Sequence, residues 1–201
     1  RGEQHGNLPF PHQRDDVLEL VKTQHRVDWA FELPEGTVFI GSHDFKRNCS
    51  PLVVDGRVYV GAWNGTLYAV DATTGTADWT FAAAADIKGS AALAGDLVVV
   101  ADYAGNVYAL DPATGAQRWR YTGGQRFYGG PAVAYGRVYI GNINGRVIAL
   151  DEDTGEVAWV RVLDDFVYAS PAVAGRLVYV GSYDETMYAL DAVTGRVRWS
   201  F

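Results

Sequence analysis

From residue 42 to the C-terminus, apolar residues fall in short alternating runs separated by polar, glycine-bearing turns, and the pattern returns every 40 residues. The stretch 122–161 shows it most plainly. Residues 131–134, 137–141, 146–150 and 157–160 alternate with the period of two that a strand requires. Tyr135-Gly136 makes a tight turn between the first two runs. Asn144-Gly145 between the second and third is a hairpin signal, because both residues tolerate positive φ. Asp151 to Gly155 turns the chain into the fourth run. Along the third run of the first repeat, Leu67 and Ala69 point to one side and Tyr68 and Val70 to the other. Both sides are apolar, which predicts a small sheet covered on both faces.

The repeats tile as 42–81, 82–121, 122–161 and 162–201. Four short antiparallel strands in about 40 residues describe one blade of a β-propeller, so the expected fold is all-β with four full blades. The residues that recur have physical roles. Asp71, Asp111, Asp151 and Asp191 can accept hydrogen bonds from turn N–H groups, as can Thr74, Thr114, Thr154 and Thr194. Gly75, Gly115, Gly155 and Gly195 suit a left-handed turn residue. Ala69, Ala109, Ala149 and Ala189 leave room for a flat ring, and Trp79, Trp119, Trp159 and Trp199 offer large apolar area to a neighbouring blade. Segment 29–41 reads as a partial blade: Trp29-Ala30-Phe31 is similar to Trp79-Thr80-Phe81, and 36–41 to 56–61, but the Ala-x-Asp element is missing. Residues 1–28 are expected to form an arm outside the repeat. Within it, 15–22 fits a short helix with an acidic first turn or, equally, a strand.

Charge and composition narrow the partners. A net charge of −7 and a pI near 5.0 argue against nucleic acid, which needs a basic footprint. They also argue against a polybasic membrane contact. No run of 18 apolar residues predicts a spanning helix. The chain begins with Arg1, as a mature secreted protein or a fragment would. Cys49 is the only cysteine, so no internal disulfide can form, and it is expected to be structural. Its use as a nucleophile would need a paired base, for which His43 is the nearest candidate in sequence. His5, His12, His25 and His43 have no metal-ligand spacing, so no metal site is expected.

Candidate chemistry collects at one end of the blades. The loops leading into each blade carry Lys46, Arg47 and Asn48, then Asp86 and Lys88, then Arg126, Phe127 and Tyr128, then Asp164, Asp165 and Tyr168. Asn48, Lys88, Tyr128 and Tyr168 share one position of the 40-residue register, and Trp63, Tyr103, Ile143 and Tyr183 share another. Aromatic residues and arginine are common binding anchors. The expected partner or ligand face is therefore Lys46, Arg47, Asn48, Trp63, Lys88, Tyr103, Arg126, Tyr128, Asp165, Tyr168 and Tyr183. The bland alternative is a solvated loop set whose aromatics cover the core. No catalytic group is expected.

The string Ala-x-Asp-x-x-Thr-Gly-x-x-x-Trp, from Ala69 to Trp79 and again from Ala109, Ala149 and Ala189, resembles the tryptophan-docking motif of the pyrroloquinoline-quinone (PQQ)-like propeller repeats. That resemblance covers about 160 of the 201 residues. It implies a structural docking role for Trp79, Trp119, Trp159 and Trp199. The superfamily holds quinoprotein alcohol dehydrogenases, a scaffold lipoprotein of outer-membrane barrel assembly, and sensor domains of bacterial Ser/Thr kinases. Its rings have seven or eight blades, so four imply two chains completing one ring or a fragment, ahead of a small closed ring. The resemblance implies a non-catalytic scaffold or protein-interaction module, extracytoplasmic, with no cofactor. One alternative is the ligand-sensing domain of a larger receptor. The other is a PQQ-dependent dehydrogenase, or a piece of one, carrying PQQ with calcium. Asn48 and Asp165 could then give oxygen ligands, but the adjacent cysteines of the dehydrogenases are missing.

Overall fold

A computed structural model describes residues 49–201, together with the backbone of two short strands, β1 (Phe31–Glu32) and β2 (Val38–Phe39). The chain divides into two units, Arg1–His43 and Asp44–Phe201. In the first, β1 and β2 pair antiparallel within the segment expected as a partial blade. The expected arm, 1–28, lies outside the described residues, as do all four histidines.

In the second unit every described element is a strand. Four meanders form four separate antiparallel sheets. The first blade is β3 (Leu52–Val54), β4 (Arg57–Gly61), β5 (Thr66–Asp71) and β6 (Ala77–Ala82). The second is β7 (Ala92–Ala94), β8 (Leu97–Ala101), β9 (Asn106–Leu110) and β10 (Gln117–Thr122). The third is β11 (Ala132–Ala134), β12 (Arg137–Gly141), β13 (Arg146–Asp151) and β14 (Val157–Val162). The fourth is β15 (Ala172–Ala174), β16 (Leu177–Gly181), β17 (Met187–Asp191) and β18 (Val197–Ser200). β11 lies beside both β7 and β15, so the first strands of these blades gather on the inside. These are propeller blades, as the period predicts.

The core lies between blades, not within them. Tyr59, Leu67, Ala69 and Trp79 of the first blade pack on Val98, Val100, Tyr108 and Leu110 of the second. Val99, Val107, Ala109 and Trp119 meet Val138, Ile140, Ile148 and Leu150. Tyr139, Val147, Ala149 and Trp159 meet Val178, Val180 and Leu190. Alternation along each strand thus feeds two different interfaces, which explains why both faces read as apolar.

Three tryptophans make the same contact. Nε1 of Trp79, Trp119 and Trp159 donates to the carbonyl of Pro112, Glu152 and Ala192, each 33 residues on, at 2.9, 2.9 and 3.0 Å. Each ring lies against the next blade's turn glycine. A Cβ added to Gly155 would stand 2.5 Å from Trp119 Cε3, and its φ of +73° disfavours any side chain. Trp199 differs: it is 44% exposed, with no such acceptor among the described residues. The four tryptophans, equivalent in sequence, are therefore not equivalent in structure, because the contact is completed by a following blade.

Small departures from the expected strands also have causes. Gly145 is left-handed at φ +70°, whereas Asn144 is not among the positive-φ residues. The turn closes instead on Asn142, whose side-chain oxygen accepts from the N–H groups of Asn144 and Arg146, both at 3.0 Å. Each outer strand carries a bulge just before its tryptophan. The bulge turns Arg118 and Arg198 onto Asp111 and Asp191, each at 2.7 Å, and Asp78 onto Arg57 at 2.7 Å.

Candidate functional site

The loops leading into the second and fourth blades are each held between two hairpins by main-chain hydrogen bonds. Ile87 N–H donates to Ala62 of the preceding hairpin at 3.0 Å, and Tyr103 N–H of the following hairpin donates to Asp86 at 2.8 Å. Val167 to Asn142 and Tyr183 to Phe166 repeat the arrangement at 3.0 and 2.9 Å. Ile87, Phe127 and Val167 plug the loops leading into the second, third and fourth blades into the core. The residues on either side of each plug are thereby turned outward onto a shared face.

There the side chains meet. The Lys88 ammonium lies 3.7 Å from the Tyr103 ring centroid, 4.7 Å from Trp63 and 5.2 Å from Tyr128. It also pairs with Asp86 at 3.8 Å, and its side chain is only 12% exposed. An ammonium surrounded by rings is attracted by their negative faces. The Arg126 guanidinium lies over the Tyr103 ring, its Cζ 5.0 Å from the ring centroid. The rings continue edge to face, Tyr103 to Tyr128 at 5.8 Å and Tyr128 to Tyr168 at 4.9 Å. Tyr168 then meets Tyr183 at 4.8 Å and Phe166 at 5.9 Å. Tyr128, Phe166 and Tyr183 are exposed, Tyr183 at 64%. One aromatic array therefore crosses the second to fourth blades at one end, and Lys88 joins Trp63 of the first blade to it. Trp63 Nε1 is buried there with no partner among the described residues.

Of the sequence-predicted face, Trp63, Lys88, Tyr103, Arg126, Tyr128, Tyr168 and Tyr183 come together. Asp165 stands beside them, with Oδ1 accepting from Phe166 N–H at 2.7 Å. Lys46, Arg47 and Asn48 lie outside the described residues. Ile143 occupies the hairpin position without an aromatic ring, while Phe127 is a core plug instead of a face residue. Phe166 was not among the expected residues. Its register position is shared with Asp86 and Arg126, and that would have shown it.

A second polar cluster was not legible in the sequence. The Asp102 carboxylate is fully buried and accepts six hydrogen bonds, from Tyr108 Oη, Asn106 Nδ2 to both oxygens, and the N–H groups of Ala84, Ala104 and Asn106. Asn106 Oδ1 accepts from Arg120 at 2.7 Å and from Thr122. The partners belong to the second blade or, for Ala84, to the loop leading into it, which makes this a tie between that loop and the blade's own hairpin. The Cys49 thiol is also internal. It donates to the Ile87 carbonyl at 3.2 Å, and burial pushes its pKa up to about 12. It is thus protonated and inert at neutral pH.

A calcium-bound quinone would need a cluster of oxygen ligands around the metal. No group of three His, Cys, Asp or Glu side chains among the described residues stands close enough to hold a metal ion. Calcium takes six to eight oxygen ligands, and of the two proposed donors only Asp165 is described.

The described strands, in blades joined through tryptophans, define a propeller of PQQ-like repeats, and sequence comparison places it further. The chain belongs to the family described as Outer membrane protein assembly factor BamB, which matches residues 6–128 and 104–201. No curated protein sequence matches it. Among solved structures, it is similar to BamB from Moraxella catarrhalis, with 29% identity, a TM-score of 0.68, and coverage of 76% of this chain and 52% of that one. It thus spans about half the length of that relative. Two quinohemoprotein alcohol dehydrogenases share the fold. That of Comamonas testosteroni is 24% identical with a TM-score of 0.66, covering 76% of this chain and 34% of that one. That of Pseudomonas putida HK5 is 20% identical with a TM-score of 0.69, covering 86% and 35%. Among the described residues, no helix is long and apolar enough to cross a membrane.

Proposed function

We propose that this chain is a non-catalytic β-propeller scaffold of an extracytoplasmic compartment, holding a protein partner on the aromatic face. The observation that carries the reading is the array from Trp63 to Tyr183, with Tyr128, Phe166 and Tyr183 exposed in a row. Tyrosines give large, rigid contact area at low entropic cost, which suits protein recognition. Family membership supports a role in outer-membrane protein assembly. The test is photocrosslinking in the cell envelope, with the reactive group placed at Tyr183 or Phe166. A defined protein adduct is expected from these positions. It should be missing from Tyr135, an exposed residue at the opposite end of the third blade. Equal labelling from both ends would overturn the reading.

A further inference from the structure

We infer that the segment held on this face is an extended acidic peptide carrying aromatic or proline side chains; this rests on the scaffold reading above. Three observations carry it. First, the chain has a net charge of −7, yet the second and third blades bring Lys88 and Arg126 to the same ring, Tyr103. Lys88 already has Asp86, whereas Arg126 makes no ion pair among the described residues. An exposed guanidinium held over a ring is placed to meet a carboxylate, to which it can donate two parallel hydrogen bonds.

Second, the hydroxyls of Tyr103, Tyr128, Tyr168 and Tyr183 make no hydrogen bond among the described residues. They are donors left over for a partner backbone. Third, the rings are set steeply to one another, at 77° between Tyr103 and Tyr128 and 74° between Tyr128 and Tyr168. The clefts between such rings accept flat or ring-shaped side chains such as proline and phenylalanine, as in other aromatic-lined peptide grooves. A carboxylate at Arg126 and apolar side chains toward Tyr183 therefore fix both the chemistry and the direction of the segment.

Two synthetic peptides test this on the whole chain: acetyl-Glu-Pro-Phe-Glu-Pro-Phe-amide and the same peptide with lysine for glutamate. Binding is followed by calorimetry at low salt and at about 1 M salt, where charge attraction is nearly screened. The acidic peptide should bind about tenfold more tightly at low salt, and the preference should vanish at high salt. Arg126→Glu should abolish or reverse the preference. Because Arg126 is exposed and makes no ion pair among the described residues, the variant's melting temperature should change little. Tyr128→Ala with Tyr183→Ala should weaken both peptides. Equal binding of the two peptides, or a preference that survives Arg126→Glu, overturns the acidic assignment. If the peptides bind equally but the tyrosine variant loses them, the protein-binding reading stands alone. If polyglutamate binds as well as the aromatic peptide, the groove plays no part and the inference falls. If neither peptide binds and no crosslink forms from Tyr183, both readings fall.

Discussion

Trp119 shows what one residue does in this fold. Its ring is buried between the second and third blades, and its indole N–H reaches the Glu152 carbonyl. Trp119→Ala should cost about 3–5 kcal/mol, the range for emptying a buried aromatic site. Trp119→Phe keeps most of the ring and loses the hydrogen bond, at about 1 kcal/mol plus a packing defect. Trp199→Ala should cost far less than Trp119→Ala, because its ring is already half in water. Urea midpoints of the three variants check the order, and equal losses at 119 and 199 would remove the interblade account. Cys49 gives a prediction of a different kind. Its folded pKa of about 12 lies above the ordinary thiol value of 9.0 expected for the unfolded chain, so the folded state holds the proton longer. The stability this gives is complete below pH 9 and is lost as pH rises toward 12, with a limiting slope of about 1.4 kcal/mol per unit. Cys49→Ala should remove that slope. The two proteins' urea midpoints should therefore change relative to each other only above about pH 9. The native thiol should also resist alkylation until the chain unfolds.

At the scale of the element, the turn after each third strand repeats one device. Asp71, Asp111, Asp151 and Asp191 each accept from the N–H groups two and three residues on. These bonds hold all four carboxyls below the usual carboxylate range. The largest cause is the Thr74 or Thr154 N–H at Asp71 and Asp151, and the Arg118 or Arg198 guanidinium at Asp111 and Asp191. A lowered folded pKa means the unfolded chain takes up protons first as pH falls. The stability is present above about pH 4 and is lost below it, down through the folded values. Asp111→Asn with Asp151→Asn should therefore flatten the acid limb of a melting-temperature profile while lowering the value at neutral pH. A parallel acid limb would show that these turns do not set it. This device was legible in the sequence because it is local: all its atoms lie within a few residues, and the spacing repeats four times. The strands were legible for the same reason. The Asp102 tie was not, because Ala84 reaches it from the loop leading into the blade, 18 residues away, and the matching hairpin positions hold Ala62, Asn142 and Ser182. The aromatic face was legible as a set of register positions. That Lys88 sits among three rings depended on how the loops pack, which periodicity does not specify.

At the scale of the whole molecule, each blade contributes to stability chiefly through its neighbours, as in other repeat folds. The side of the third blade that bears Tyr139, Val147 and Trp159 is closed by the fourth. The equivalent side of the fourth bears Tyr179, Met187, Trp199 and Phe201, with Phe201 96% exposed and Met187 44%. Tyr179 and Trp199 keep the ring contact that Tyr139 and Trp159 make, with centroids 5.8 Å apart in both pairs. The fourth blade is thus shaped for a contact of the same kind without having one among the described residues. An open apolar sheet face of this type binds hydrophobic dyes and promotes association. Met187→Ser with Phe201→Ser should lower the fluorescence of a bound naphthalenesulfonate dye. It should leave the melting temperature nearly unchanged, since both side chains are already solvated. Val147→Ser, at the matching position of the third blade, should instead lower the melting temperature, because Val147 is fully buried and its hydroxyl replacement would lack a partner. If Met187→Ser and Val147→Ser destabilise equally, the fourth blade is covered in solution and its exposed face is not a property of the folded chain.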